Sequence, residues 1–195
     1  YPAYVLCEVS TSRDDPALRA LLEGTIEQCM QAGLVLDATL AQSGSQRDAL
    51  WKLRESVPEA QRHEGASIKH DVAVPVAALP DFVDRAAAAV ARIAPAARLV
   101  AYGHVGDGNL HFNFSEPAGG GATESFLSLQ AAIGDAVHDC VREFGGSISA
   151  EHGIGRLKRE LLRRYEDPVA LAAMREIKRA LDPRGILNPG KVLPD

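Results

Sequence analysis

Aromatic side chains make up only 5% of the 195 residues, with a single tryptophan, and cysteine occurs three times. Cys7, Cys29 and Cys140 are odd in number, far apart and set among apolar neighbours. That spacing argues against a disulfide framework or a thiolate metal cluster and predicts buried, reduced thiols in a reducing compartment. Basic residues are also in deficit, 21 against 26 acidic for a formal net charge of -5. They are scattered rather than striped, which excludes a nucleic-acid or anionic-membrane surface as the main partner. No signal peptide opens the chain, and no apolar run spans a bilayer: the alanine-rich stretch 86–97 is interrupted by Arg92 and Pro95. Nucleotide loops are missing too. Gly103-x-x-Gly-x-Gly is spaced wrongly for a dinucleotide fingerprint and leads into a strand, and Gly119 to Gly121 lacks the Lys-Ser/Thr of a phosphate loop. There is no Gly-x-Ser-x-Gly elbow, and no cysteine has a base beside it in sequence.

What is present is a chain 46% hydrophobic, enough for one sizeable core. It opens at Tyr1 without an initiator methionine and reads as a piece of something longer. Residues 4–10 and 35–40 are rich in β-formers and predict two strands. Asp15-Pro16 predicts a helix to about Ala32, stopped at Gly33, and Ser43 opens another carried to about His63. Residues 67–74 alternate, with Ser67, Lys69 and Asp71 on one face and Ile68, His70 and Val72 on the other. Helices follow at 79–91 and 124–144, the latter after the flexible loop 116–122. A basic helix comes after Gly155, its charge read as a solvated face, and a last helix from Asp167-Pro168 to Leu181 precedes an irregular tail. Helices alternating with strands, with at least one hairpin, predict an α+β fold: an antiparallel sheet covered by helices on one face, plus a C-terminal helical tail.

The stretch 99–114 organises the rest. Its second half alternates strictly, so Leu110, Phe112 and Phe114 share a core face while Asn109, His111 and Asn113 share the other. Gly106 and Gly108 permit the positive φ of a tight reversal, so the segment reads as a hairpin that returns His111 toward His104. A carboxylate arriving from elsewhere would complete an open site for a borderline divalent ion such as zinc, and Glu151, beside His152, is the candidate. Side chains of adjacent residues on an extended segment diverge, which leaves His152 free to act as a base. Arg54 offers a fork for a carboxylate but reads as readily as an ion-paired helix residue. Lys69 is either a site cation or the partner of Asp71.

Five ordered motifs carry a resemblance over nearly the whole chain: Leu50-Trp-Lys-Leu-Arg-Glu55, Lys69-His-Asp-Val-Ala-Val-Pro75, Gly103-His-Val-Gly-Asp-Gly-Asn-Leu-His-Phe-Asn113, Ser149-Ala-Glu-His-Gly-Ile-Gly155 and Leu181-Asp-Pro-Arg-Gly-Ile-Leu-Asn-Pro-Gly-Lys191. Together they resemble the C-terminal domain of FAD-linked oxidases and dehydrogenases of the vanillyl-alcohol-oxidase type, in the branch of D-2-hydroxyglutarate, D-lactate and glycolate dehydrogenases. The resemblance implies a ferredoxin-like-related sheet, with residues 1–145 forming a substrate-binding cap and residues 146–195 completing the site and packing toward an N-terminal FAD-binding domain outside this chain. It implies a divalent metal, zinc being the expected ion, on His104, His111 and Glu151. It gives Arg54 the substrate carboxylate and Asn113 a substrate contact. Lys69 would lie near substrate and flavin, Asn188 near the flavin, and His152 would remove the hydroxyl proton as hydride passes to FAD. The implied partners are a small 2-hydroxy acid and an electron acceptor, with a homo-oligomer left open. The implied location is the cytoplasm, or the periphery of a membrane for the whole protein. Where 2-hydroxyglutarate-type members carry a threonine one turn after the arginine, this chain has Pro58, so D-lactate, glycolate and other 2-hydroxy acids stay open. Two readings of other classes compete: a stand-alone metal-dependent hydrolase using His104, His111 and Glu151, and a binding domain without catalysis.

Overall fold

The computed structural model describes every residue except Asp14, Pro16, Ala122 and Asp195. The expected helix start at Pro16 and the end of the expected glycine-rich loop therefore lie outside the described residues. The chain forms two compact units, residues 1–60 and 61–195. Within the second unit Ser147 pairs with Ala73.

The first unit holds α1 (Ala17–Gln31) and α2 (Gly44–Glu55). Gly33, at φ 70, ends the run after α1, and the Ser43 side chain caps α2 by accepting from the Gln46 amide. The two strands expected at 4–10 and 35–40 do not form. A strand needs a partner for its backbone, and neither segment has a ladder among the described residues; both are largely exposed, so β-forming composition alone does not make them strands. The helix expected to run to His63 breaks at Ser56, and α3 (Val57–His63) starts anew. Pro58 has no N–H to give the Arg54 carbonyl, which accounts for the interruption. Cys7 is exposed and Cys29 half-buried, so of the three free thiols only Cys140 has the expected burial.

The second unit is built on an antiparallel sheet whose central strand is β4 (Asn109–Ser115). On one side β3 (Arg98–His104) pairs with it in full, Tyr102 opposite His111 and His104 opposite Asn109. On the other side stand β1 (Ser67–Ile68) and β2 (Asp71–Ala73), in one continuous register with Ile68 opposite Phe114 and Asp71 opposite His111. The expected single strand is interrupted at Lys69-His70 because side chains take over one of the two ladder bonds there: the Phe112 amide still donates to the His70 carbonyl, but the His70 amide donates to Asn113 Oδ1, and His70 Nδ1 lies 2.9 Å from the Phe112 carbonyl.

The core lies on one face, as the alternation predicts. Phe112 and Val72 are fully buried and Phe114 nearly so, packed against Phe82, Ala86 and Val90 of α4 (Leu79–Ala91) and Ile133, Val137 and Val141 of α6 (Gln130–Glu143). The expected 124–144 helix is kinked at Leu129 into α5 (Thr123–Ser128) and α6, where the Ser128 hydroxyl bonds back to the Ser125 carbonyl. The chain then crosses to α7 (Arg159–Tyr165) and α8 (Pro168–Leu181), the latter capped by the Asp167 carboxylate on the amides of Val169 and Ala170. The tail is stitched back: the Val192 amide donates to the Gly155 carbonyl at 2.7 Å, with Val192 itself at φ 63. No described helix is long and apolar enough to cross a membrane.

The reversal between β3 and β4 turns on Gly108 alone, at φ 73; Gly106 does not adopt the positive φ expected of it. A Cβ on Gly108 would stand 2.1 Å from the Val74 carbonyl oxygen, whereas one on Gly106 would meet open space. Gly108→Ala is therefore expected to cost about 2–4 kcal/mol by strain and contact together, and Gly106→Ala less than about 0.5. Urea unfolding of the two variants checks the difference.

Candidate metal and proton-transfer site

On the face of the sheet opposite the core, strand pairing aligns Tyr102 and His104 of β3 with His111 and Asn109 of β4 and with Asp71 of β2. The loop 147–152 approaches the β2 edge through a two-way bridge between Ala73 and Ser147, at 3.0 and 2.8 Å, and brings Glu151 and His152 to these residues. Gly146 makes the approach possible: a Cβ there would stand 2.2 Å from the Ala73 carbonyl oxygen. Lys158 braces the same loop by donating to the Ile148 carbonyl at 2.7 Å, and burial pushes its ammonium pKa down.

Glu151 joins the two hairpin histidines. Its Oε1 is 3.1 Å from His104 Nδ1, and its Oε2 is 3.8 Å from His111 Nε2. The expected trio thus meets at one carboxylate. His111 is mostly buried, its ring 4.8 Å from that of Tyr102 and stacked at 5.7 Å on that of His152. His152 is the most open, its side chain 67% exposed, with Nδ1 3.6 Å from Asp71 Oδ2.

A second grouping overlaps the first. The ligand atoms of Asp71, His111 and His152 all lie within 4.8 Å of one another, close enough for an ion to draw together. Two ligand atoms on one tetrahedral zinc stand about 3.3 Å apart, which the Glu151 contacts bracket. Asp71 is moreover surrounded by protein donors. Burial works against its anion, but the amides of His152 and Glu151 and the side chains of His152 and Asn109 more than offset that and hold its carboxyl below the ordinary range. The structure thus offers two overlapping donor groups, one of His104, His111 and Glu151 around a single carboxylate and one of Asp71, His111 and His152. His111 has a carboxylate oxygen near each ring nitrogen, so a neutral ring turns a lone pair toward one of them, an arrangement that a cation beside Glu151 relieves.

Asn113 is 3% exposed, its Oδ1 accepting the His70 amide and its Nδ2 donating to Gln61 Oε1 of α3 at 3.0 Å, so both ends of its amide are engaged within the protein. Lys69 is exposed, at the strand interruption. Asn188 is exposed in the tail at φ 46, and Arg54 lies in the last turn of α2 in the first unit. Asp71 and Tyr102 went unassigned in the sequence. The alternation at 67–74 and 99–104 put both on this face, but the loop that meets Asp71 comes from about eighty residues further on, beyond any local pattern.

The family described as FAD linked oxidases, C-terminal domain, matches residues 1–192. A D-2-hydroxyglutarate dehydrogenase of Stutzerimonas stutzeri is 38% identical over 191 residues, covering 98% of this chain and 40% of that protein. The mitochondrial D-2-hydroxyglutarate dehydrogenase of Danio rerio is 40% identical, covering 100% and 35% respectively. That of Rattus norvegicus is also 40% identical, covering 99% and 34%. The chain thus spans well under half the length of these relatives.

Proposed function

The chain belongs to the FAD linked oxidases, C-terminal domain, family, and from that premise we propose that it supplies the substrate-side half of an FAD-dependent dehydrogenase, one that oxidises a D-2-hydroxy acid to the 2-oxo acid. The observation that carries the proposal is the convergence of His104, His111 and Glu151 with His152 at their open side. His104, His111 and Glu151 would hold a divalent ion, zinc being the best suited, and when bound it would draw on the substrate hydroxyl and ease loss of its proton. His152, whose Nδ1 is turned to Asp71, offers its other nitrogen as the base that takes that proton. The partly buried wall formed by His111 and Tyr102 limits water on the inner side. A flavin would accept the hydride, and the sequence carries neither a phosphate-loop motif nor a dinucleotide fingerprint for one. Lys69 and Asn188 are accordingly proposed only to meet its edge, with the remainder of the protein binding it.

The relatives' names make D-2-hydroxyglutarate the first substrate to try, and Pro58, in place of a hydroxyl-bearing residue, makes D-lactate and glycolate the comparison. The test uses the whole protein that carries this domain. A D-2-hydroxy acid should bleach the flavin's visible absorbance. A chelator should lower turnover by about tenfold or more, with zinc restoring it. Failure of every D-2-hydroxy acid to bleach the flavin would refute the assignment.

A further inference from the structure

The Asp71 carboxylate is 3% exposed and ringed by donors. Its Oδ2 accepts three consecutive amides, those of Ala150, Glu151 and His152, at 3.2, 2.9 and 2.9 Å, while its Oδ1 accepts Asn109 Nδ2 at 3.1 Å. His111 Nδ1 stands 3.6 Å from Oδ1, and His152 Nδ1 stands 3.6 Å from Oδ2. Three successive N–H groups on one oxygen make a nest that fixes the backbone from which Glu151 reaches the hairpin histidines. An ionised carboxylate can only accept, so a neutral imidazole beside it keeps its proton on the nearer nitrogen.

From this we infer that Asp71 is a positioning residue for both halves of the site at once. Oδ1 holds the His111 proton on Nδ1 and leaves the Nε2 lone pair toward Glu151. Oδ2 does the same for His152, leaving its Nε2 as the proton acceptor, and also sets where Glu151 stands. Asp71 is not itself a ligand of the ion, since four protein N–H groups already engage its oxygens. The inference rests on the roles proposed above for His111 and His152, and it adds what makes each ring present the useful nitrogen.

Asp71→Asn and Asp71→Ala in the whole protein that carries this domain separate the parts, read by amide hydrogen exchange at residues 150–152, by ring-nitrogen NMR shifts and by zinc titration against a competing chelator. In Asp71→Asn the amide oxygen can take the place of Oδ2. Its nitrogen can then meet Asn109 Oδ1, a buried acceptor without a partner among the described residues, once Asn109 turns over. That variant should fold and protect residues 150–152 as the parent does. The group facing His111 is now a donor, so the His111 proton should move to Nε2 and zinc affinity fall by about 10–100-fold, with His152 unchanged. Asp71→Ala should speed exchange at the three amides by about tenfold or more. An Asp71→Asn chain that keeps the His111 proton on Nδ1, or binds zinc as tightly as the parent, overturns the inference, as does unchanged exchange in Asp71→Ala. If the parent binds no zinc while the His111 proton moves as expected, the metal assignment fails and the role of Asp71 stands.

Discussion

Glu151→Gln, in the enzyme that carries this domain, is expected to lower kcat/KM for a D-2-hydroxy acid by about a thousandfold, equivalent to about 4 kcal/mol of transition-state stabilisation. Glutamine keeps the size and removes the one anionic donor that meets both His104 and His111. Zinc affinity should fall by about 100-fold or more, because a neutral amide oxygen neither offsets the ion's charge nor binds it strongly. Stability should hardly change. The Glu151 side chain is 43% exposed, and the bond that fixes its loop to Asp71 comes from its backbone amide, which the substitution leaves in place. Steady-state kinetics beside a melting curve distinguish a lost site from a lost fold, and an active Glu151→Gln enzyme would place the chemistry elsewhere.

The second large effect lies on the core side of the sheet. His70 and His138 are each 5% exposed, with rings 5.6 Å apart, and among the described residues neither ring nitrogen of His138 has a hydrogen-bond partner. Burial lowers the pKa of both to about 4, and for His138 the nearness of His70 adds to it. An unfolded chain takes up these protons near pH 6.5, so between about 6.5 and 4 the unfolded state binds more protons than the folded one. Stability is then fully present above about pH 6.5 and is lost as pH falls toward 4, by up to about 3 kcal/mol for the first histidine charged. His138→Leu should reduce that acid loss. At neutral pH it should stabilise the chain by about 1 kcal/mol, since it removes two buried polar atoms that nothing satisfies at the cost of ring contacts with His70 and Tyr165. Calorimetry from pH 7.5 to 4 on both proteins checks the slope and the offset, and parallel curves would show that His138 does not titrate in this range.

The legible parts of the molecule were those written in short-range periodicity. The alternation at 109–114 fixed which residues face the core, and the hairpin followed from Gly108. Glycines and opposed chemistry pointed to the meeting of His104, His111 and Glu151. What local pattern could not show is pairing. Residues 4–10 and 35–40 look like strands, yet a strand is made by its neighbour. Lys69 drew attention as the partner of Asp71, when that carboxylate is engaged by a loop about eighty residues away. Asn113, which the resemblance makes a substrate contact, is buried with its amide taken up by Gln61 and the His70 backbone, contacts that only the folded chain brings together. Pro58 and Ser128 each broke a helix that apolar spacing had drawn as continuous.

The tie between Val192 and Gly155 has a practical side. A β-branched residue at positive φ is costly to hold there, and its amide hydrogen bond, together with the Arg159 guanidinium on the Leu193 carbonyl, is what keeps the end of the chain against the glycines that follow His152. Proteolytic trimming of residues 192–194 during purification would thus slacken the backbone beside His152 without disturbing the sheet. A preparation could look intact by circular dichroism yet be catalytically heterogeneous, so intact-mass measurement belongs beside every activity assay.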